Sequence, residues 1–259
     1  MKKILWINPV GTALFDEPIK AFLDTAKDAD TQLDICSLPR GPQHLEYHYY
    51  EALILEDTLH TVKRAENDGY DAAVIGCFYD PGLHEAREIC ERMVVTAPAE
   101  SAMHIATTLG HSFSILVGRK KWIPKMHQNV VKYGFEQRLA SFKSLEMGVY
   151  DFQVDPAETE RRMTDASREA VEVDGAEAIV LGCTIEFGFY ERLQKEIGVP
   201  VIDATIAPLK AAEYLVGLRD KFAWGHSKAY GYESPPASEI TGWKLASQYD
   251  IEGVWGTQE

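Results

Sequence analysis

The chain is short of cations. It carries 26 Lys and Arg against 40 Asp and Glu, a formal net charge of -14 at pH 7 over 259 residues. Nucleic acid is a poor partner for such a surface, because phosphate binding needs a basic face. Long apolar runs are also missing. No stretch approaches the roughly 20 residues that cross a bilayer, and the opening Met1-Lys2-Lys3-Ile4-Leu5-Trp6-Ile7-Asn8-Pro9 is too short an apolar run for a signal peptide. A cytoplasmic protein is therefore expected, in which cysteines stay reduced. There are only 4 cysteines, with no CxxC spacing, so neither a zinc nor a redox motif is supported. A Gly-x-Gly-x-x-Gly turn, a phosphate loop and a Gly-x-Ser-x-Gly elbow are all absent, which leaves no support for a nucleotide cofactor or a serine hydrolase. His44 and His48 have the spacing of helical metal ligands, but no third ligand joins them in a recognisable motif. We expect no metal and no cofactor, and a small molecule as the partner.

What is present is alternation. Apolar runs at Lys3–Ile7, Ala72–Gly76, Met93–Val95, Phe113–Val117, Ala178–Gly182 and Val199–Ile202 read as strands, and Gln32–Leu38 alternates like one. Between them lie helical patterns at 17–29, 50–67, 81–92, 99–109, 122–133, 156–173, 187–197 and 206–218, with Asp155 placed to cap the helix that starts at Pro156. Strands alternating with helices imply an α/β fold with mainly parallel sheets flanked by helices.

Two stretches nearly repeat each other. Asp68-Gly69-Tyr70-Asp71-Ala72-Ala73-Val74-Ile75-Gly76-Cys77 is matched by Asp174-Gly175-Ala176-Glu177-Ala178-Ile179-Val180-Leu181-Gly182-Cys183. Each reads as a tight Gly turn, a buried strand and a Gly-Cys tip. The elements that follow also line up: Met93–Val95 then a helix, and Val199–Ile202 then a helix. Duplication explains two aligned units better than chance does. It divides the chain into two similar lobes, residues 1–96 plus about 205–220 and residues 97–204, with a cleft between them. An aromatic tail follows over 221–259, with Phe222, Trp224, Tyr230, Tyr232, Trp243, Tyr249 and Trp255 spread among Gly, Ser and Pro. It lies either on its own lobe or around a neighbouring copy, and the second alternative makes the protein a homo-oligomer.

Duplication places Cys77 and Cys183 as mates on the two sides of the cleft. Both are expected at the carboxyl ends of parallel strands, where open α/β sheets bind ligands. A helix beginning directly after each would lower its thiol pKa from the ordinary value near 8.5. Two such sulfurs can remove a proton from one face of a carbon and return one on the other. Cys36 and Cys90 are expected to be core residues.

These residues resemble the aspartate/glutamate/hydantoin racemase superfamily, and within it the hydantoin and allantoin racemase branch, over about residues 3–219. The similarity is carried by Gly76-Cys77-Phe78-Tyr79-Asp80-Pro81-Gly82-Leu83 with Ala86-Arg87-Glu88, by Ala99-Glu100-Ser101-Ala102-Met103-His104, by Val180-Leu181-Gly182-Cys183 and by Val199-Pro200-Val201-Ile202-Asp203. The resemblance implies a cofactor-independent racemase that inverts the stereocentre next to a carbonyl of a 5-substituted hydantoin or allantoin, with Cys77 and Cys183 as the acid/base pair and Asn8 contacting substrate. Phe78, Thr184, Gly118 and Arg119 are the further substrate-binding candidates. Alternatives are an aspartate/glutamate-type amino-acid racemase, a related decarboxylase or cis-trans isomerase, and a binding protein without turnover.

Two segments depart from that pattern. Thr184-Ile185-Glu186 stands where the branch usually has Ala-Gly-Met, and Val117-Gly118-Arg119-Lys120-Lys121 stands where it often has a Thr pair. Arg119, Lys120 and Lys121 read either as solvated loop charges or as a receiver for a substrate carboxylate. Glu186 is expected to cap the helix after Cys183.

Overall fold

The computed structural model describes residues 1–255. Two four-stranded sheets form the frame. The first is built from β1 (Lys2–Asn8), β2 (Thr31–Ser37), β3 (Ala72–Ile75) and β4 (Val94–Thr96) in the order β2-β1-β3-β4. The second is built from β5 (Phe113–Val117), β6 (Leu139–Ser144), β7 (Ala178–Leu181) and β8 (Val201–Ile202) in the order β6-β5-β7-β8. The two orders are the same once each strand is matched to its counterpart. Every strand pair is parallel.

Parallel strands need crossovers, and helices supply them. In the first half these are α1 (Asp16–Ala26), α2 (His48–Asn67) and α3 (Leu83–Ile89). In the second they are α5 (Ile123–Lys132), α6 (Pro156–Glu172) and α7 (Tyr190–Ile197). Between the halves α4 (Pro98–Leu109) packs on β5, β7 and β8, while α8 (Ile206–Phe222) returns to pack on β1, β3 and β4. The central strands β3 and β7 are buried along their whole length, which is why they read as continuous apolar runs. Along β1 the side chains alternate: Ile4 and Trp6 join a core continuous with the second half, and Leu5 and Ile7 join the layer under α2 and α3.

Asp155 caps α6 as its position predicts, its side chain accepting from the Glu158 N–H at 3.1 Å. β6 has no counterpart in the sequence reading. It is an edge strand, half-buried along its length, and its polar Ser141, Lys143 and Ser144 hide the strand signal. Helix starts also differ. The pattern at 81–92 becomes a helix only from Leu83, and that at 187–197 only from Tyr190.

Beyond α8 the chain lies on its own first lobe and includes two short helices, α9 (Ala237–Gly242) and α10 (Leu245–Gln248). Edge strand β4 is where it is anchored. The Val95 N–H donates to His226 Nε2 at 3.0 Å, and the Arg87 guanidinium donates to the Val95 carbonyl at 3.1 Å. Lys228 donates to the Arg87 and Glu88 carbonyls, and the Asn67 amide to the Val254 carbonyl. Burial holds the His226 pKa down to about 4, so the ring stays neutral and free to accept. Trp224, Tyr230 and Trp243 remain exposed.

Candidate active site

Cys77 stands just beyond the end of β3 and Cys183 just beyond the end of β7, equivalent places in the two halves. Both line one cavity of about 680 Å³, counting its mouth. Asn8, Phe78, Tyr79, Thr184 and Ile185 share the wall with them, and Phe15, Trp122, Met126 and Val149 add apolar surface. Glu46 is the one carboxylate of the lining among the described residues.

The glycine before each cysteine lets its strand tip pack tightly against the sheet. A Cβ on Gly76 would collide with the Trp6 indole, and one on Gly182 with the Leu116 carbonyl oxygen. Both glycines also stay on the ladder: Gly76 N–H donates to the Ile7 carbonyl and Gly182 N–H to the Leu116 carbonyl, each at 2.8 Å. The tips are joined across the halves as well. The Thr184 hydroxyl donates to the Gly76 carbonyl at 3.2 Å, and the Thr184 carbonyl accepts from the Thr205 hydroxyl at 2.9 Å. Removing a buried partner of this kind leaves an unpaired acceptor and costs about 1–3 kcal/mol. Thr184→Val should therefore lower the melting temperature and slow turnover, while Thr184→Ser should restore both. Melting curves and steady-state rates check this. Wild-type values for Thr184→Val would show that the bond holds nothing in place.

The thiols behave differently from the sequence expectation. Burial pushes the Cys77 thiol up to about 12, opposed only in part by the Tyr79 N–H; Glu51 and Asp80 raise it further and Lys125 eases it. Cys183 is raised well above its ordinary value, first by burial, then by Glu186, with the Ile185 N–H opposing and Cys77 and Glu46 adding to the rise. The cause is geometric. No long helix starts directly after either cysteine: α3 begins only at Leu83, and Cys183 leads into the short 3-10 turn Thr184–Glu186. Both cysteines are partly exposed at the cavity wall, and the hydration their sulfurs lose to the surrounding packing outweighs the single N–H at each. Each sulfur still meets the N–H two residues further on, so the half-sites are alike in their backbone as well as in their cysteines.

Of the sequence candidates, Cys77, Cys183, Asn8, Phe78 and Thr184 meet at the cavity, but Gly118 and Arg119 do not line it. Gly118 lies behind the wall against the Trp122 ring and the Met147 carbonyl. Arg119 is turned to Glu46, pairing with its carboxylate at 2.6 Å, so its charge is already met. The Asn8 carboxamide oxygen accepts from the Trp6 indole at 2.7 Å and its nitrogen donates to Asp16, which leaves one N–H for a ligand. Cys90 is buried in the core, and Cys36 packs against the same cluster. Glu186 does not cap α7; both carboxyl oxygens lack a hydrogen-bond partner among the described residues. His44 lines the cavity while His48 opens α2, and no group of three potential metal ligands occurs among the described residues. Glu46, Phe15 and Trp122 had no sequence signal, because they come from loops and a short turn far apart in the chain.

The family model for Asp/Glu/Hydantoin racemase matches residues 4–212. The chain belongs to this racemase family. It is 37% identical to a hydantoin racemase from Pseudomonas sp. (strain NS671) over 240 residues, covering 93% of this chain and 94% of that one. A hydantoin racemase from Paenarthrobacter aurescens is 36% identical over 234 residues, 90% of this chain and 97% of that one. Among solved structures, allantoin racemase from Klebsiella pneumoniae superposes with a TM-score of 0.85 at 29% identity, covering 91% of this chain and 94% of that chain. The protein thus sits on the hydantoin/allantoin branch of the family, with the two-sheet fold of that branch, and is an enzyme of the isomerase class.

Proposed function

We propose that this racemase inverts the stereocentre of 5-substituted hydantoins by proton transfer between Cys77 and Cys183, without a cofactor. The observation that supports this most is the shared cavity: equivalent thiols from duplicated halves face the same space. The thiolate form of one cysteine takes the proton from ring carbon 5, becoming a thiol and leaving an enolate. The other thiol gives its proton to the opposite face and becomes the thiolate. Reaction of the other enantiomer reverses the roles. The ring carbonyl spreads the developing charge, and the free Asn8 N–H and the backbone N–H groups of Phe78 and Thr184 are the donors we assign to it.

The lining favours a neutral ring with an apolar substituent. Phe15, Trp122, Met126 and Val149 offer hydrocarbon and aromatic surface. No Lys or Arg is found in the lining among the described residues, so the two carboxylates of aspartate or glutamate would enter without a cation in the wall to receive them.

Proton NMR in deuterated water tests the reading over a panel of 5-substituted hydantoins, allantoin, aspartate and glutamate. Exchange of the C5 proton with loss of optical rotation is expected for the hydantoins, most rapidly for those with apolar substituents. Turnover confined to aspartate or glutamate, or carbon dioxide release without racemisation, would replace it.

The pH profile is a second check. A base must be ionised to act, and burial pushes Cys77 to about 12. Thiolate is then scarce at neutral pH, and kcat/KM should climb about tenfold per unit between about pH 6 and 8, falling as acid is added. A flat profile would mean that burial does not govern the catalytic thiol.

A further inference from the structure

The turn that carries Cys77 is fastened by a single side chain. The Asp80 N–H donates to the Cys77 carbonyl at 2.9 Å and closes the turn. Asp80 has a left-handed backbone, with φ at 49°, and is 4% exposed. A residue other than glycine is strained there and persists only where its surroundings hold it. Here they do. One carboxylate oxygen accepts from the Ala99 N–H at 2.8 Å. The other accepts from the Glu100 N–H and from the Tyr133 hydroxyl, both at 2.9 Å. Ala99 and Glu100 stand in the first turn of α4, where N–H groups have no partner within the helix. Ala97, at the N-cap of α4, has no side-chain acceptor to offer, so Asp80 caps this helix from the Cys77 turn. Next to Asp80, the Tyr79 carbonyl accepts from the Asn129 amide at 2.8 Å.

Asn129 lies on α5 and Tyr133 directly follows it, so both belong to the half that carries Cys183. The turn of the first thiol is thus set against the half that holds the second. The other half has similar parts in a different arrangement. Its counterpart of α4 is α8, which starts beside Asp203. Asp203 accepts from the Thr205 and Ile206 N–H groups at 2.7 and 3.3 Å, and from the Gly188 N–H at 3.1 Å. There the carboxylate stands at the helix start and the chain beyond Cys183 donates to it. In the first half the carboxylate belongs to the cysteine turn itself. Cys77, Phe78 and Tyr79 line the cavity, whereas Asp80, Asn129 and Tyr133 lie behind that wall.

We propose that Asp80 is a positioning residue that sets the place of Cys77 relative to Cys183, by fastening the Cys77–Asp80 turn to α4 and to the end of α5. The proposal rests on the two-cysteine reading. Asp80→Asn tests it, because asparagine keeps the size and tolerates the left-handed backbone but turns one acceptor oxygen into a donor. Burial lifts the Asp80 carboxyl to about 7, against the pull of its donors, so rates are compared above that value, with the group ionised. On a 5-substituted hydantoin, kcat should fall about 10²-fold, the cost of displacing a reacting group by about 1 Å. KM should stay within about threefold, since the groups that hold the ring remain. Tyr133→Phe removes one donor of three and should cost kcat about two- to tenfold, the worth of one hydrogen bond.

The deciding measurement is deuterium exchange in the single-cysteine backgrounds. Added to Cys183→Ser, where Cys77 alone exchanges, Asp80→Asn should again cost about 10²-fold; added to Cys77→Ser, it should change exchange by less than about threefold. Equal losses in the two backgrounds would make Asp80 a general stabiliser and overturn the proposal. Wild-type kcat in Asp80→Asn would overturn it as well. Should Asp80→Asn fail to fold, Tyr133→Phe in the same two backgrounds decides, and equal losses or none refute it. Backgrounds that exchange nothing, with the kcat loss in Asp80→Asn intact, would instead tell against the two-base reading alone.

Discussion

Cys77→Ser and Cys183→Ser should each lose two-way racemisation by on the order of 10³-fold, within the range that a positioned acid or base contributes. A serine hydroxyl neither ionises at workable pH nor gives its proton as readily as a thiol. One sulfur remains in each variant, however, and it still faces one side of the substrate carbon. Each variant should therefore exchange the proton of one enantiomer with deuterium while its optical rotation persists, and the two variants should prefer opposite enantiomers. Chiral chromatography with proton NMR in deuterated water separates exchange from inversion. Racemisation at the wild-type rate in either variant would end the two-base mechanism. The structure makes the outcome strict, because Cys36 and Cys90 lie outside the cavity lining and cannot stand in for the missing sulfur.

Gly182→Ala should do comparable damage without touching a reacting atom. The added methyl would meet the Leu116 carbonyl oxygen head-on, with the Ile115 side chain 3.1 Å away. Neither neighbour can give way easily. Leu116 is paired to β7 through the ladder, and its carbonyl already accepts from the Gly182 N–H. Overpacking of this kind costs about 1–3 kcal/mol, and each kcal/mol lowers the melting temperature of a chain this size by about 2–4 °C. The larger effect is on rate. Relief of the clash must move the strand tip, and displacement of a reacting group by about 1 Å can cost about 10²-fold. Calorimetry and steady-state kinetics on the same preparation check both. Wild-type melting together with wild-type turnover would show that the tip has room for the methyl and would end this reading. Gly76→Ala should act similarly through the Trp6 indole, but less severely, since a side chain yields more readily than backbone.

Much of the frame was legible because it depends on local pattern. The apolar runs at β1, β3, β5 and β7 are central strands, and the Gly-Cys repeat marks their equivalent ends. The pairing of Cys77 with Cys183 came from the same repeat. The features that escaped notice depend on long-range packing. β6 is an edge strand with polar positions, so its periodicity is weak. Glu46 and Trp122 reach the cavity from separate loops and turns, and no spacing in the chain announces that meeting. Arg119 has the chemistry of a carboxylate receiver, but the protein supplies the carboxylate itself in Glu46. The direction of the thiol shifts has a related cause: a Gly-Cys tip signals proximity to backbone N–H groups, and only the packing reveals how much hydration each sulfur loses. Glu186 shows the same limit, since its position suggests a cap and its surroundings supply nothing to cap.

The segment after α8 has a consequence for the behaviour of shortened proteins. β4 is an outer strand of its sheet, and on its open flank the Val95 N–H and carbonyl are both occupied, by His226 and Arg87. Chain ends trimmed before His226 would free the Val95 N–H and uncover that flank in part, and an uncovered strand flank is a template on which further copies can pair. Clumping is thus the failure to look for in such fragments, ahead of any loss of turnover.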